Sequence, residues 1–286
     1  MVPASRITAF TTGAAALAVV LAGCGSASTS TQNTAGAPEG LTTPGQLTVC
    51  SDLTYPPMDY FENGTTGKEI GFDMDAARAV AKEWGVELKV LNTAFASTIP
   101  AMEAGRCDVA WSGLFINDDR LAAADAVPYL ASSVSIAVPA GNPKNIKSLD
   151  DLAGLRAAVS AGGAVSKQLR AASEDLVKKG LSPAKISEYP GGSEYAALIS
   201  GKEDVAVDLD IAVRLAAEKS GSLEEISGAF PGTTNFGVYV KKGSSMGPAI
   251  LTAWSSVVSS GEAARIAKKY NISETNVVTP TSVLSR

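Results

Sequence analysis

Histidine is absent from all 286 residues. That single absence removes Ser–His and Cys–His nucleophile pairs, histidine-ligated zinc and the HExxH helix together. No GxxxxGK(S/T) loop and no GxGxxG turn occurs, so nucleotide and dinucleotide chemistry has no cradle. No cofactor and no resident metal is therefore expected. Aromatic residues are few, at 6%, and the net charge of −5 is spread over interspersed charges of both signs, which argues against a nucleic-acid partner. Cysteine is scarcer still, with three residues in the chain. Beyond residue 22 no apolar segment reaches the roughly 20 residues that a membrane-spanning helix needs. The chain lacks the usual equipment of an enzyme.

What is present begins with an export signal. Arg6 supplies a positive start, and 7–22 is apolar and small, too short to span a bilayer. Leu21-Ala22-Gly23-Cys24 matches the lipobox of bacterial lipoproteins, whose cysteine becomes the acylated N-terminus of the mature chain. On that reading 1–23 is a signal peptide, and a lipid on Cys24 holds the chain on the outer face of the cytoplasmic membrane. The alternative is an ordinary signal peptide with an incidental cysteine. The stretch 24–40 is rich in Ser, Thr, Gly, Ala and Gln, cannot bury surface, and reads as a flexible tether. Cys50 and Cys107 remain. Two thiols in an oxidising compartment suggest a disulfide, although both fall on predicted strands of one sheet and are offset along them. Two buried thiols acting as small apolar residues is the equal alternative.

From residue 41 strands and helices alternate. The segment 46–50 reads as a strand ending at Ser51-Asp52. Tyr55-Pro56-Pro57 reads as an extended loop, because proline fixes its own φ and disfavours helix before it. An amphipathic helix covers 72–84 and stops at Gly85. A strand at 86–91, a helix at 98–104 and a strand at 107–112 complete a β-α-β-α-β order, which predicts a mostly parallel sheet covered by helices. The pattern then restarts with a strand at 132–139, a short helix at 148–152, a strand at 156–160 and a helix at about 165–179. An extended piece at 188–190, a helix at 193–199 and a buried strand at 204–207 follow. Last come a strand at 236–240 and helices at 246–259 and 262–270. Two α/β units are expected, with the final strand and helices rejoining the first.

In open α/β sheets ligands bind beyond the carboxyl ends of the strands. Those ends here hold Asp52, Tyr55, Ser112 with the run to Arg120, Gly162 to Ala164, and Asp208. One cation, two anions, aromatic faces and glycine turns suit a small zwitterion. The arginine fork can hold a carboxylate through two parallel hydrogen bonds. Backbone N–H groups at the start of the 165–179 helix add donors. Asp208 can hold an ammonium group, and Tyr55 or Phe95 can cover an apolar stem or a cation. Each piece also has a plainer explanation: Arg120 as a solvated surface residue, an Asp after a strand as a helix cap, the aromatics as core. Only their shared placement at strand ends favours a site.

Several motifs at those positions carry a resemblance. Cys50-Ser-Asp-Leu-Thr-Tyr-Pro-Pro-Met58, Gly71-Phe-Asp-Met-Asp, Phe95-Ala-Ser-Thr-Ile-Pro-Ala101, Trp111-Ser-Gly-Leu-Phe-Ile-Asn-Asp-Asp-Arg120 and Gly141-Asn-Pro resemble the family 3 solute-binding proteins, the polar amino-acid receptors of ABC importers. The likeness runs from about residue 47 to about 271. It implies an α/β periplasmic-binding-protein fold of two lobes joined by a two-strand hinge, with crossovers near 131–135 and 232–236. The first lobe would be 41–130 completed by 236–286, and the second 131–235 with the hinge. By motif position Arg120 would clamp the ligand carboxylate, Gly113 and Phe115 would offer backbone groups, and Ser112 would line the same turn. Tyr55 and Phe95 would sandwich the ligand side chain beside Asp52. Gly162, Gly163 and Ala164 would turn N–H groups onto the carboxylate, and Asp208, with Asp210 in reserve, would take the ammonium. The chain departs from the pattern where Gly163-Ala164 replaces a hydroxyl residue, where Phe115 narrows the pocket, where Met58 replaces a common Phe, and where an ungapped register puts Leu209 at the ammonium position.

The resemblance implies a receptor acting as a monomer. It would capture an amino acid or related zwitterion by hinge closure and hand it to the ABC permease membrane subunits, with no bond made or broken. Two alternatives come from other classes. A lyase of the same fold, like cyclohexadienyl dehydratase, would need a cleft acid with a shifted pKa, for which Asp52, Asp59 and Asp208 are the candidates. A ligand-sensing module would pass its state to a membrane partner.

Overall fold

The computed structural model describes residues 37–161, 164–189 and 192–286. The signal peptide, Cys24, most of the tether, Gly162 and Gly163 lie outside the described residues. Two five-stranded sheets organise the rest. In the first, Glu87–Asn92, Gln46–Ser51 and Val109–Ala110 run parallel, and Thr234–Val240 and then Asp125–Ser132 follow antiparallel. In the second, Lys185–Tyr189, Arg156–Ser160 and Val205–Leu209 run parallel, with Val134–Pro139 and Leu223–Ile226 antiparallel beyond them. The same plan is therefore built twice. Strands such as Ala157-Ala158-Val159 and Val205-Ala206-Val207 are fully buried, as expected where helices cover both faces of a parallel sheet.

The late strand and helices do rejoin the first unit. Phe72, Met74 and Val80 of the Phe72–Glu83 helix are buried with Ile250, Trp254 and Val257 of the Met246–Ser259 helix in one apolar cluster. Trp111, Tyr129 and Trp254 meet edge to face at centroid separations of 5.3, 6.2 and 6.2 Å. Three distant stretches of chain thus share one aromatic core. Each such side chain contributes about 1.5–3 kcal/mol by leaving water. Gly71 sets the entry to the first helix: its φ is +123°, and a Cβ there would stand 2.2 Å from the Met58 carbonyl oxygen. Gly85, also at positive φ, ends it.

Four expectations need correction. The strand expected at 132–139 is two strands, Asp125–Ser132 and Val134–Pro139, on different sheets. Pro128 hid the first of them, yet this strand lies at the sheet edge, beside a register shift at Phe236/Gly237, where proline is tolerated. The strand at 107–112 shrinks to Val109–Ala110. The loop at Tyr55 opens a small antiparallel sheet of Thr54–Tyr55, Asp59–Phe61 and Glu69–Ile70. The helix Asp210–Ser220 and strand Leu223–Ile226 had no counterpart in the sequence reading.

A single residue, Ser133, separates the two strands at the crossover. The return crossing enters Thr234–Val240, whose Thr234 and Asn235 pair with Ser132 and Ala131. Asp210, buried at this point, accepts hydrogen bonds from Ser132 Oγ at 2.5 Å and Asn276 Nδ2 at 2.9 Å, and its N–H donates to the Ser133 carbonyl. Arg214 bridges onward to Glu225, which accepts from Ser135 Oγ. Below the first sheet, Cys50 and Cys107 form a disulfide with Cα atoms 5.8 Å apart. Cys107 stands in the turn before its strand rather than on it, which removes the offset that made pairing doubtful.

The bridge closes a sequence separation of 57 residues, so reducing it is expected to cost about 2–4 kcal/mol. Urea unfolding with and without dithiothreitol checks this; coincident midpoints would contradict it.

Candidate functional site

The cleft lies where the carboxyl ends of the two sheets' parallel strands converge. On the first side Asp52 follows Gln46–Ser51. Its carboxylate accepts from Thr54 Oγ1 at 2.7 Å and from the Phe95 N–H at 2.7 Å. Asp52 therefore ties the Phe95 turn to the Tyr55 loop. Phe95 is 43% exposed, unusual for a large apolar side chain, and the Arg120 guanidinium stands 5.4 Å from its ring centroid. Arg120 lies in the first turn of the Asp118–Ala123 helix, where its N–H donates to the Asn117 cap, and one guanidinium nitrogen donates to the Phe115 carbonyl at 2.7 Å. Among the described residues no carboxylate pairs with it. Tyr55 packs on Gly113: a Cβ there would lie 3.0 Å from two Tyr55 ring carbons, and φ is +54°. Only glycine suits that turn.

The turn itself rests on two fully buried acids. Asp59 and Asp73 are both 0% exposed. Asp59 Oδ2 accepts from Ser51 Oγ at 2.5 Å and Ser112 Oγ at 2.6 Å, while Ser112 Oγ accepts the Asp52 N–H. Asp73 takes the Gly113 N–H at 2.6 Å and the Tyr129 hydroxyl at 2.7 Å. These bonds reassign two expected contacts. The Ser112 hydroxyl and the Gly113 N–H are turned inward to satisfy buried carboxylates instead of facing the cleft. The Phe115 carbonyl is likewise taken, by Arg120 and by the Tyr239 hydroxyl, and its ring stacks on Phe236 at 4.6 Å.

On the second side Asp208 ends Val205–Leu209. Its carboxylate accepts from the Leu209 N–H at 2.7 Å and the Tyr195 hydroxyl at 3.0 Å. Burial pushes Asp208 up to about 6, with the adjacent Glu194 raising it further. Tyr55 reaches toward it across the cleft, and burial, then the Asp208 charge, hold that phenol well above its ordinary range. Asp210, the reserve choice for the ammonium, is instead committed to Ser132 and Asn276 at the hinge. Ala164 opens the Ala164–Lys178 helix and is exposed.

Residues 47–273 match the model of the bacterial extracellular solute-binding proteins, family 3. The chain belongs to that family. This solute-binding protein is 28% identical over 240 residues to the arginine-binding protein ArgT of Corynebacterium glutamicum, covering 83% of this chain and 78% of that one. It superposes on an ancestral cationic amino acid solute binding protein with a TM-score of 0.69 at 26% identity, covering 80% of this chain and 96% of that one. An ancestral arginine-binding protein bound to arginine gives 0.61 at 30% identity, with 79% and 98% covered. The two-lobed fold is thus that of known amino-acid-binding proteins. Among the described residues no helix is long and apolar enough to cross a membrane.

Asp59, Asp73 and Glu194 shape the cleft of this binding protein, and the sequence reading gave none of them a role in binding. In the sequence Asp59 is a candidate only for a lyase acid, and Asp73 falls within the Gly71-Phe-Asp-Met-Asp motif. Burial pushes Asp73 up to about 7, against the bonds from Tyr129 and Gly113. Burial, then the Asp73 charge, push Asp59 well above the carboxylate range. Both therefore bind protons more tightly when folded. The stability they contribute is complete below their unfolded range, near pH 4 by roughly the reference values, and the part due to Asp73 is lost as pH rises through about 7. The thermal midpoint of this protein should fall by several degrees between pH 5 and pH 8, and Asp73→Asn should flatten that fall. A midpoint rising across the same interval in scanning calorimetry would refute the assignment.

Proposed function

We propose that this protein is the receptor of an ABC importer for a cationic amino acid, which it captures as a monomer between its lobes. The observation that carries the reading is the charge layout of the cleft. Arg120 stands on the first lobe without a paired carboxylate, and Asp208 stands on the second with Tyr55 between. An α-carboxylate suits the guanidinium fork, and a cationic group suits Asp208. The side chain would lie between Tyr55 and Phe95, whose exposed face is available for it. Asp52, Asp208 and Glu194 against one arginine leave the cleft acidic, which favours a ligand of net positive charge over a neutral one. The arginine-binding protein ArgT and the ancestral cationic-amino-acid and arginine-binding proteins take ligands of the same class.

In this reading 41–130 with 236–286 forms one lobe and 131–235 the other, and closure pivots about Ser133 and the paired return strand. The donors from the turn at Gly162, Gly163 and Ala164 would complete the carboxylate seat from the second lobe. Ser112, Gly113 and Phe115 would act by shaping the turn. A lipid on Cys24 and the tether to residue 40 would keep the domain near its permease on the outer face of the cytoplasmic membrane, so that local concentration replaces confinement.

Calorimetric titration with L-arginine, L-lysine, L-ornithine, L-glutamine and L-glutamate should show binding of the cationic set, weakened about 10- to 100-fold by Arg120→Ala, the cost of a lost charge-assisted bond pair. No binding by any of them, or no effect of Arg120→Ala, sinks the proposal. Cys24→Ser should move the protein from the membrane fraction to the soluble one and abolish incorporation of a labelled fatty acid; unchanged fractionation would argue against the anchor.

A further inference from the structure

Glu194 is the side chain that the receptor reading does not explain. It sits in the first turn of the Ser193–Ile199 helix and is 1% exposed. Acidic residues are almost never fully buried without a partner. Among the described residues its Oε2 has no hydrogen-bonding partner. The carboxylate is otherwise met by backbone N–H groups at the start of its own helix, those of Glu194 and Gly192, and by the Asp208 carboxyl beside it. Two carboxylates cannot face each other in a buried place unless a proton or a cation lies between them.

Among the described residues the surroundings supply no cation. Of the charged side chains on the strands packed against this helix, Arg156 pairs with Asp204, Glu188 pairs with Arg170, and Lys185 is exposed. Asp210, two residues beyond Asp208, is held at the hinge by Ser132 and Asn276. The neighbours that do face the pair are phenols: Tyr195, which donates to Asp208, and Tyr55 from the opposite lobe. Burial raises both phenols, so neither carries charge near neutral pH. The pair opens toward the cleft only through Asp208, which keeps partial exposure there.

We infer that Glu194 and Asp208 form one acidic seat that holds a single proton while the cleft is empty and exchanges it for the cationic group of the ligand. Glu194 is then a ligand-binding residue as well as a helix-end charge. It doubles the negative charge offered to a guanidinium or ammonium group, and offers nothing to a ligand lacking one. Capture is linked to proton release: a cation entering the seat requires both carboxylates ionised, so affinity rises with pH until the pair ionises unaided. The raised affinity of both acids for protons agrees with this. The inference rests on the amino-acid reading of the cleft, and its test separates the two.

The probe is L-arginine, titrated calorimetrically into the full-length protein at pH 5.5 and pH 8 in buffers of different ionisation enthalpy. The wild type should release up to about one proton per ligand at pH 5.5 and none at pH 8, with tighter binding at pH 8. Glu194→Gln, nearly isosteric, should weaken binding at pH 8 about 10- to 100-fold and remove most of the proton release at pH 5.5. Wild-type binding without proton release at pH 5.5 overturns the seat and leaves the receptor reading standing, and this arm needs no variant to fold. Unchanged affinity and release in Glu194→Gln also overturns it. Absence of binding by the wild type overturns both.

Discussion

One residue, Ser133, lies between a strand of the first sheet and a strand of the second. Everything functional in the molecule follows from that economy of connection. The two sheets cannot drift apart, because the return strand pairs at Thr234 and Asn235 with the outgoing one at Ser132 and Ala131. Each sheet also carries helices of its own packed against it. What remains is a cleft whose walls are the carboxyl ends of parallel strands. The buried bonds of Asp210 with Ser132 and Asn276 join helix, outgoing strand and C-terminal segment at the pivot. A polar pivot of this kind restricts the direction of motion without filling the cleft, which hinge closure requires.

The chemistry of the cleft is organised by acids of two sorts. Asp59 and Asp73 lie under its floor, away from water, and their work is architectural: they take the Ser112 hydroxyl and the Gly113 N–H and so fix a turn that glycine alone can adopt beside Tyr55. Asp52 and Asp208 lie along its walls, with Glu194 buried behind Asp208. Against them stands a single guanidinium, which steadies its own loop through the Phe115 carbonyl. An electrostatic imbalance of this sort is costly in an empty cleft and is relieved by a cation. On the proposed reading, the same imbalance that weakens the unliganded form would select the ligand.

The amphipathic period of the Phe72–Glu83 helix and the near-continuous apolar runs of Arg156–Ser160 and Val205–Leu209 were legible without coordinates, because local pattern sets those elements. So was the return of the C-terminal segment, since Phe236-Gly-Val-Tyr-Val240 is a strand by composition. Asp125–Ser132 was not, because Pro128 argues against a strand unless its edge position is known. The helix Asp210–Ser220 was missed for a related reason. Its mixed small and polar residues give a weak stripe, and it holds its place by contacts with the neighbouring strands.

The sequence by itself determined the alternation of strands and helices, the strand ends at which Asp52, Tyr55, Arg120 and Asp208 stand, and the family likeness those motifs carry. Each depends on neighbours within a few residues, or on motifs read in order. Only the tertiary structure decided which polar groups face a ligand and which are consumed within the protein. Ser112 and Gly113 looked like cleft donors until buried acids 53 and 40 residues away were seen to take them. Glu194 carries no signal in the sequence, and only the fold lays it against Asp208. Hydrogen-bond partners and desolvation are properties of assembled space, and no local pattern encodes them.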